Sequence, residues 1–309
     1  MRAIGMRTAV LLIASVFLGS GGVEKEAHGT SRGGGTNGGT SENPTLFEVR
    51  QQCNEMAAFF PVDLVLARQR VPRAFNLAVD AQGNAGGALV VMNCPNYFSL
   101  TTPNSPPLQR GENTAPGSVV HLWFMLEGAA QVLQIPGAEV TAPTQYAYAV
   151  ADLVTSPVAA RVYRRAGKNA VLIRGTTLVD QGKRQTGKIT FTNGSKITFD
   201  AYTATQLPTP LRLGGNVWNW HAAAGNRRNV NTTRVMFLAT VPGPPNTTRV
   251  TIHAEPGTAF ADYYGTSDMV ASRATFFSPN NIVNNSSLGE LAWTTYPPYT
   301  LNCPPLLPK

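Results

Sequence analysis

The chain has 309 residues, 14% of them charged, with 29 glycines, 23 prolines and a formal net charge of +8. So low a charged fraction, against an average near ~25%, disfavours a long-helical protein, and the abundant glycine and proline point to a turn-rich β protein. The basic excess does not indicate a nucleic-acid partner. Beyond Pro44, sixteen arginines and five lysines stand against fourteen acidic residues, scattered as singles or pairs such as Arg164-Arg165, with no aromatic-interleaved basic stripe.

Arg2 and Arg7 precede the apolar run Ala9 to Leu18 and the small residues Gly19-Ser20-Gly21-Gly22, the order of a cleaved secretory signal, and the run is short for a membrane span. Residues 1–22 are therefore expected to be a signal peptide, which implies a secreted or periplasmic protein. Residues 23–44, with Arg32-Gly33-Gly34-Gly35-Thr36-Asn37-Gly38-Gly39, have nothing to bury and read as a disordered tether. Residues 45–309 are of a size for one large β domain, with no linker or fixed-period repeat inside them and no later transmembrane segment.

Thr45 to Phe59 reads as a short helix carrying Cys53. After it come Phe59-Phe60-Pro61-Val62-Asp63, Val71-Pro72-Arg73-Ala74-Phe75-Asn76-Leu77 and Gly86-Gly87-Ala88-Leu89-Val90-Val91-Met92. This series resembles the opening of acetoacetate decarboxylase-like proteins, and the resemblance continues through Thr144-Gln145-Tyr146-Ala147-Tyr148 to about Asp200. It implies a mainly β (α+β) fold, a single antiparallel β-barrel or cone with a few short helices that encloses a small-molecule pocket. It also implies a test, because the decarboxylase chemistry needs a Schiff-base lysine projecting into that cavity, its pKa lowered by an adjacent cation and apolar surroundings. Lys168 and Lys183 read as polar-loop residues, Lys188 and Lys196 as outward strand residues and Lys309 as terminal, so the signature lysine is not matched and acetoacetate decarboxylase activity is not expected.

Three cysteines in an exported chain leave an odd one. Cys53 with Cys94 is the favoured bridge and Cys303 the alternative partner. No Cys-x-x-Cys or His-x-x-x-His spacing occurs, so no metal or other cofactor is expected. Val119 to Glu127 alternates so that His121, Trp123, Met125 and Glu127 share one face and Leu122, Phe124 and Leu126 the other, a strand buried on both sides. Lys188 to Asp200 reads as a hairpin about a type I′ Asn193-Gly194 turn, with Ile189, Phe191, Ile197 and Phe199 inward. Further strands are expected at Ala170–Leu178, Thr233–Val241 and Thr248–Ala254, and helices at Ser156–Arg165 and Gly257–Gly265.

The candidate ligand-binding residues are His121, Trp123, Glu127, Tyr146 and Tyr148. His253 and Glu255 offer a second same-faced acid/base pair, and Trp218-Asn219-Trp220-His221 reads as a loop closing the barrel end. Five N-glycosylation patterns, at Asn193, Asn231, Asn246, Asn284 and Asn285, mark surface loops. The functional expectation is an exported protein that binds or transforms a small organic molecule, such as a keto or hydroxy acid, without Schiff-base lysine chemistry. The alternative is a non-catalytic, surface-associated β-barrel module. Oligomeric state is left open.

Overall fold

The computed structural model describes residues 47–73, 75–101, 117–127, 144–165, 167–181, 183–203, 211–223, 226–241, 248–271, 273–277 and 290–300. The segments expected to be a signal peptide and a tether, Cys303 and the sequons at Asn246, Asn284 and Asn285 lie outside these residues. Thirteen strands are described: β1 (Phe47–Val62), β2 (Ala85–Thr101), β3 (Gly117–Met125), β4 (Thr144–Val154), β5 (Ala170–Asp180), β6 (Arg184–Phe191), β7 (Lys196–Thr203), β8 (Leu211–Ala223), β9 (Asn226–Val241), β10 (Thr248–Ala254), β11 (Asp268–Ala271), β12 (Arg273–Phe277) and β13 (Glu290–Thr300). The helices are α1 (Leu64–Arg70), α2 (Pro157–Arg165) and α3 (Ala259–Tyr264).

Neighbouring strands run β4-β3-β2-β1-β13-β9-β8, and β8 returns to β4 through a parallel pairing of Thr144–Tyr148 with Asn216–Trp220. That closes a ring of seven strands, the expected barrel. The pairing is antiparallel except at β4, which runs parallel to β8 at its start and parallel to β5 at Asp152–Val154. From β5 the sheet continues through β6, β7 and β10 to β11, folding over one face of β1 to β4.

The shared strands β1 to β4 therefore bury both faces, as the sequence of β3 requires: all nine of its residues are buried. One face carries Met56, Phe60, Leu89, Val120, Leu122 and Phe124 against Ile189, Phe191, Ile197, Phe199, Val250 and Ile252. The strands covering that face do not belong to the ring, so it is the ring's outside. The opposite face, with Ala57, Ala88, Val90, Trp123, Ala147, Ala149 and Val217, is its inside, joined by Ala159, Ala160 and Tyr163 of α2.

Three expectations need correction. Residues 45–59 are not a helix; Phe47 onward is strand, because pairing with β2 along nearly the whole length, and with β13 and β12 on the other side, outweighs the helical tendency of Glu48 to Ala58. Trp218 to His221 is not a loop but the middle of β8, and Trp220 is buried on the ring's outside beside Phe75 and Tyr146. The hairpin of β6 and β7 has its core residues as expected, but Ile189 faces Ile197 and Thr190 faces Lys196. That register makes a three-residue loop, Thr192-Asn193-Gly194, with Gly194 at φ 93°, rather than a two-residue type I′ turn. A one-residue slip would send one strand's isoleucine and phenylalanine outward, so burial of both pairs decided the loop.

The helices at 157–165 and 259–264 form where expected, α2 opening on Pro157 and α3 capped by Thr258 and ended by Gly265 in the left-handed conformation. Helix α1, not anticipated, is capped by Asp63, whose side chain accepts a 2.8 Å bond from the Leu66 amide. The Tyr264 hydroxyl lies 3.0 Å from the carbonyl oxygens of both Ala88 and Trp123, pinning α3 to the main chain of β2 and β3.

Candidate functional site

A row of inward residues crosses four strands: Ala57 of β1, Val90 of β2, His121 of β3 and Asp152 of β4. Asp152 reaches this face because β4 carries one extra residue against β3, between the pairs Leu122–Ala151 and Trp123–Ala149. Without that bulge Ala151 would be opposite His121 and the carboxylate would point to the other face. Asp152 Oδ1 lies 2.5 Å from His121 Nδ1, and Asp152 Oδ2 accepts a 2.9 Å bond from Lys168 Nζ.

Lys168 enters from the end of α2. Gly167, at φ 88°, donates to the Arg164 carbonyl, and the Lys168 amide donates to the Tyr163 carbonyl. These are the two bonds of a Schellman stop, in which the residue after the glycine folds back on the helix. The Lys168 ammonium accordingly lies 5.4 Å from the centre of the Tyr163 ring. The polar-loop reading of Lys168 is thus corrected: it is 2% exposed, with His121 at 0% and Asp152 at 1%. The centre sits where the wall beside β4 passes from β8 to β5, with Asn169 anchoring the junction by accepting from the Asp152 amide.

Burial pushes the His121 imidazole below its ordinary value, outweighing the opposing pull of Asp152, so it is neutral and its Nδ1–H donates to Asp152. Burial acts upward on Asp152, but the charge of Lys168, with the hydrogen bonds donated by His121 and Lys168, more than offsets it and holds the carboxyl well below the usual carboxylate range. The result is a buried carboxylate with a lysine counter-ion and a neutral histidine. Burial, with Asp152 adding to it, also raises the Tyr163 phenol well above its ordinary value.

Two of the five predicted ligand-binding residues come together on the inner face: His121 and Trp123, their rings stacked with centroids 5.1 Å apart. Tyr146 and Tyr148 share a face as expected, but it is the outer one, beside Trp220 and Phe75, where burial pushes the Tyr148 phenol up to about 12. Glu127 lies beyond β3 and is exposed. His253 pairs with Asp268 at 2.7 Å on the surface, not with Glu255, whose Oε2 accepts from the Lys196 amide. No group of three metal-ligating side chains occurs among the described residues. A cleft of about 370 Å³ is lined by Arg70, Asn169, Phe191, Asn193, Asp262 and Tyr263. Its polar groups largely bond one another, Arg70 to the Asp262 carbonyl and Asn169 to the Tyr263 hydroxyl.

The closed ring with a folded-over second sheet is an acetoacetate decarboxylase-like fold. Among solved structures, the chain is similar to the enduracididine biosynthesis enzyme MppR with HEPES buffer bound, at 12% identity and a TM-score of 0.50, covering 84% of this chain and 88% of that one. It is also similar to an acetoacetate decarboxylase-like enzyme from Sphingomonas wittichii RW1, at 12% identity and 0.47 over 84% and 93% of the two chains. A third is the acetoacetate decarboxylase of Legionella pneumophila, at 9% and 0.45 over 90% and 99%. No protein-family model matches the chain, and no curated protein matches it in sequence.

Proposed function

We propose that this chain is an exported protein that binds or transforms a small organic molecule, a keto or hydroxy acid, on the inner face of its ring, and that it does so without a Schiff-base lysine. The observation that carries this reading is the pairing of Lys168 with Asp152, both side chains buried at 0% and 1% exposure and 2.9 Å apart. A Schiff base forms from a neutral amine. Deprotonating Lys168 would leave the buried Asp152 charge without its counter-ion, which is strongly unfavourable. The lysine instead keeps the polar centre electrically balanced, and with His121 and Trp123 it forms the polar end of an interior lined with small apolar residues.

One observation favours the covalent alternative: Lys168 is enclosed, as a Schiff-base lysine must be. Borohydride reduction of the purified protein in the presence of pyruvate or acetoacetate, followed by peptide mass mapping, separates the two. The expected result is binding of a keto acid in native mass spectrometry with no adduct on Lys168; a reduced adduct there overturns the non-covalent reading.

Two further parts of the proposal concern the exported state. No helix among the described residues is long and apolar enough to cross a membrane, and the leading segment has the order of a cleaved signal. A Cys53–Cys94 bridge is supported by the register: Gln52 pairs with Tyr97 and Asn54 with Asn93, so Cys53 occupies the bulge next to the Cys94 main chain. Non-reducing peptide mapping of secreted material tests both.

A further inference from the structure

The inner face has a second ionisable group that belongs to no network. Glu55 shares this face with Ala57 and Phe59 on β1, stands opposite Met92 on β2, and Met92 stands opposite Val119 on β3. The two cross-strand partners of Glu55 itself, Met92 on β2 and Phe277 on β12, are apolar. Among the described residues the Glu55 carboxyl makes no hydrogen bond or ion pair, unlike Asp152. Two strand spacings and one two-residue step put it roughly 12 Å from His121 along the sheet, so it is not part of the buried centre.

Exposure shows where the interior is open. Glu55 and Phe59 are partly exposed, whereas Ala57, Val90, His121, Trp123 and Asp152 on the same face are buried. Among the described residues this face is therefore accessible on β1, at Glu55 and Phe59, and again at Gln145 of β4. Phe59, Ala88 and Trp123 lie in one register row. The Trp123 indole N–H, in a residue 5% exposed, has no acceptor among the described residues. A buried donor without a partner is costly, and a ligand oxygen would relieve it.

We propose that Glu55 is the specificity-determining group of the inner site, acting as an uncharged carboxylic acid that donates its proton in a hydrogen bond to an acceptor oxygen of the bound molecule. This rests on the reading that the inner face binds a small organic ligand. The protonated acid is a donor, so the geometry selects molecules that present an acceptor oxygen to β1. A carboxyl among apolar side chains without a counter-charge keeps its proton, and burial raises Glu55 from 4.5 to about 8. Of the charged groups on this face, Lys168 and Asp152 pair with each other, and β12 brings Arg273 opposite Phe59, two alternate positions along from Glu55.

The test is calorimetric titration of pyruvate into the wild type, Glu55→Gln and Glu55→Leu at pH 6.5 and pH 9.5. Glutamine keeps the shape and a donor; leucine removes the donor. At pH 6.5 the Gln variant should bind within a few-fold of wild type and the Leu variant about tenfold more weakly, the usual size of one lost hydrogen bond in an enclosed site. At pH 9.5 the wild type should weaken relative to Gln as the acid ionises beside an anionic ligand. If the Leu variant does not fold, the Gln and wild-type pair at the two pH values decides alone. Equal affinity in all three proteins, or equal losses in Gln and Leu, overturns the role of Glu55 while leaving the binding site intact. Absence of wild-type binding to pyruvate, methyl pyruvate and lactate alike overturns the functional reading and this inference with it.

Discussion

Replacing Glu55 with glutamine should stabilise the protein above neutral pH and leave it unchanged in acid. Burial raises this carboxyl from 4.5 to about 8, so below about pH 4.5 the folded and unfolded chains both hold the proton and no difference arises. Between these values the unfolded chain releases it while the folded chain retains it, and stability falls as pH rises, levelling off above the folded value. At about 1.4 kcal/mol per pH unit, the roughly 2.5 units between 4.5 and pH 7 cost the folded state about 3.4 kcal/mol before screening. Glu55 is partly exposed, and water reaching the carboxyl screens it, so the expected cost is about half, ~1.5 to 2 kcal/mol. Glutamine never ionises and escapes it. Urea unfolding followed by tryptophan fluorescence at pH 5, 7 and 9 measures the difference. The lowered pKa of His121 adds a rise in stability toward pH 6.5 in both proteins and cancels. Parallel stability profiles would refute the reasoning, showing that Glu55 is solvated like a surface acid.

Lys168→Met should destabilise by about 3 to 5 kcal/mol by stranding the Asp152 carboxylate, and the double variant with Asp152→Leu should recover part of the loss in the same urea assay. Asp152→Asn should flatten the acid limb of the stability profile, because a carboxyl held below its ordinary value of 3.8 contributes stability that is present above that value and lost as the pH falls through the folded one. Gly187→Ala should cost about 1 to 3 kcal/mol by overpacking, since an added Cβ would meet the Phe199 ring at 1.9 Å. Gly194→Ala, at φ 93° with open space around it, should cost only about 1 kcal/mol of backbone strain; reversal of that order in thermal melts would contradict the hairpin register. Tyr264→Phe should cost about 1 to 2 kcal/mol by releasing two buried carbonyls.

The fold was legible where alternation was strict. Residues Val119 to Met125 have large apolar groups on both faces, and that alone required layers on both sides. Phe59 to Met92 carried the family resemblance. What was not legible is what distant pairing decides: Glu48 to Ala58 contains good helix formers, and only the strands paired on either side make it extended. The bulge that turns Asp152 toward His121 leaves no mark in the local sequence, so Asp152 could not be paired with His121 from spacing. Lys168 was different. Arg164-Arg165-Ala166-Gly167-Lys168 after a helix opened by Pro157 is the sequence of a glycine stop, and the residue after such a glycine characteristically packs back on the helix. Read that way, the lysine is buried against Tyr163 rather than placed in a polar loop.

The two faces of β1 to β4 are built for different ends, and their composition shows it. The outer face packs long aliphatic and aromatic side chains against a second sheet and seals them with Phe260 and Tyr264. The inner face mixes small residues, Ala57, Ala88, Ala147 and Ala149, with the larger Met92, Trp123, Met125 and Tyr163, and adds a carboxylate, a lysine, a neutral histidine and a lone acid. Small residues yield less apolar burial than the leucines and phenylalanines opposite, and ionisable groups without water carry a desolvation cost. A face selected for stability alone would not carry His121, Asp152, Lys168 and Glu55. In the proposed reading the polar groups mark the site, and the balanced trio at the α2 end and the solitary Glu55 on β1 have separate work: the first holds the interior neutral, the second meets what enters it.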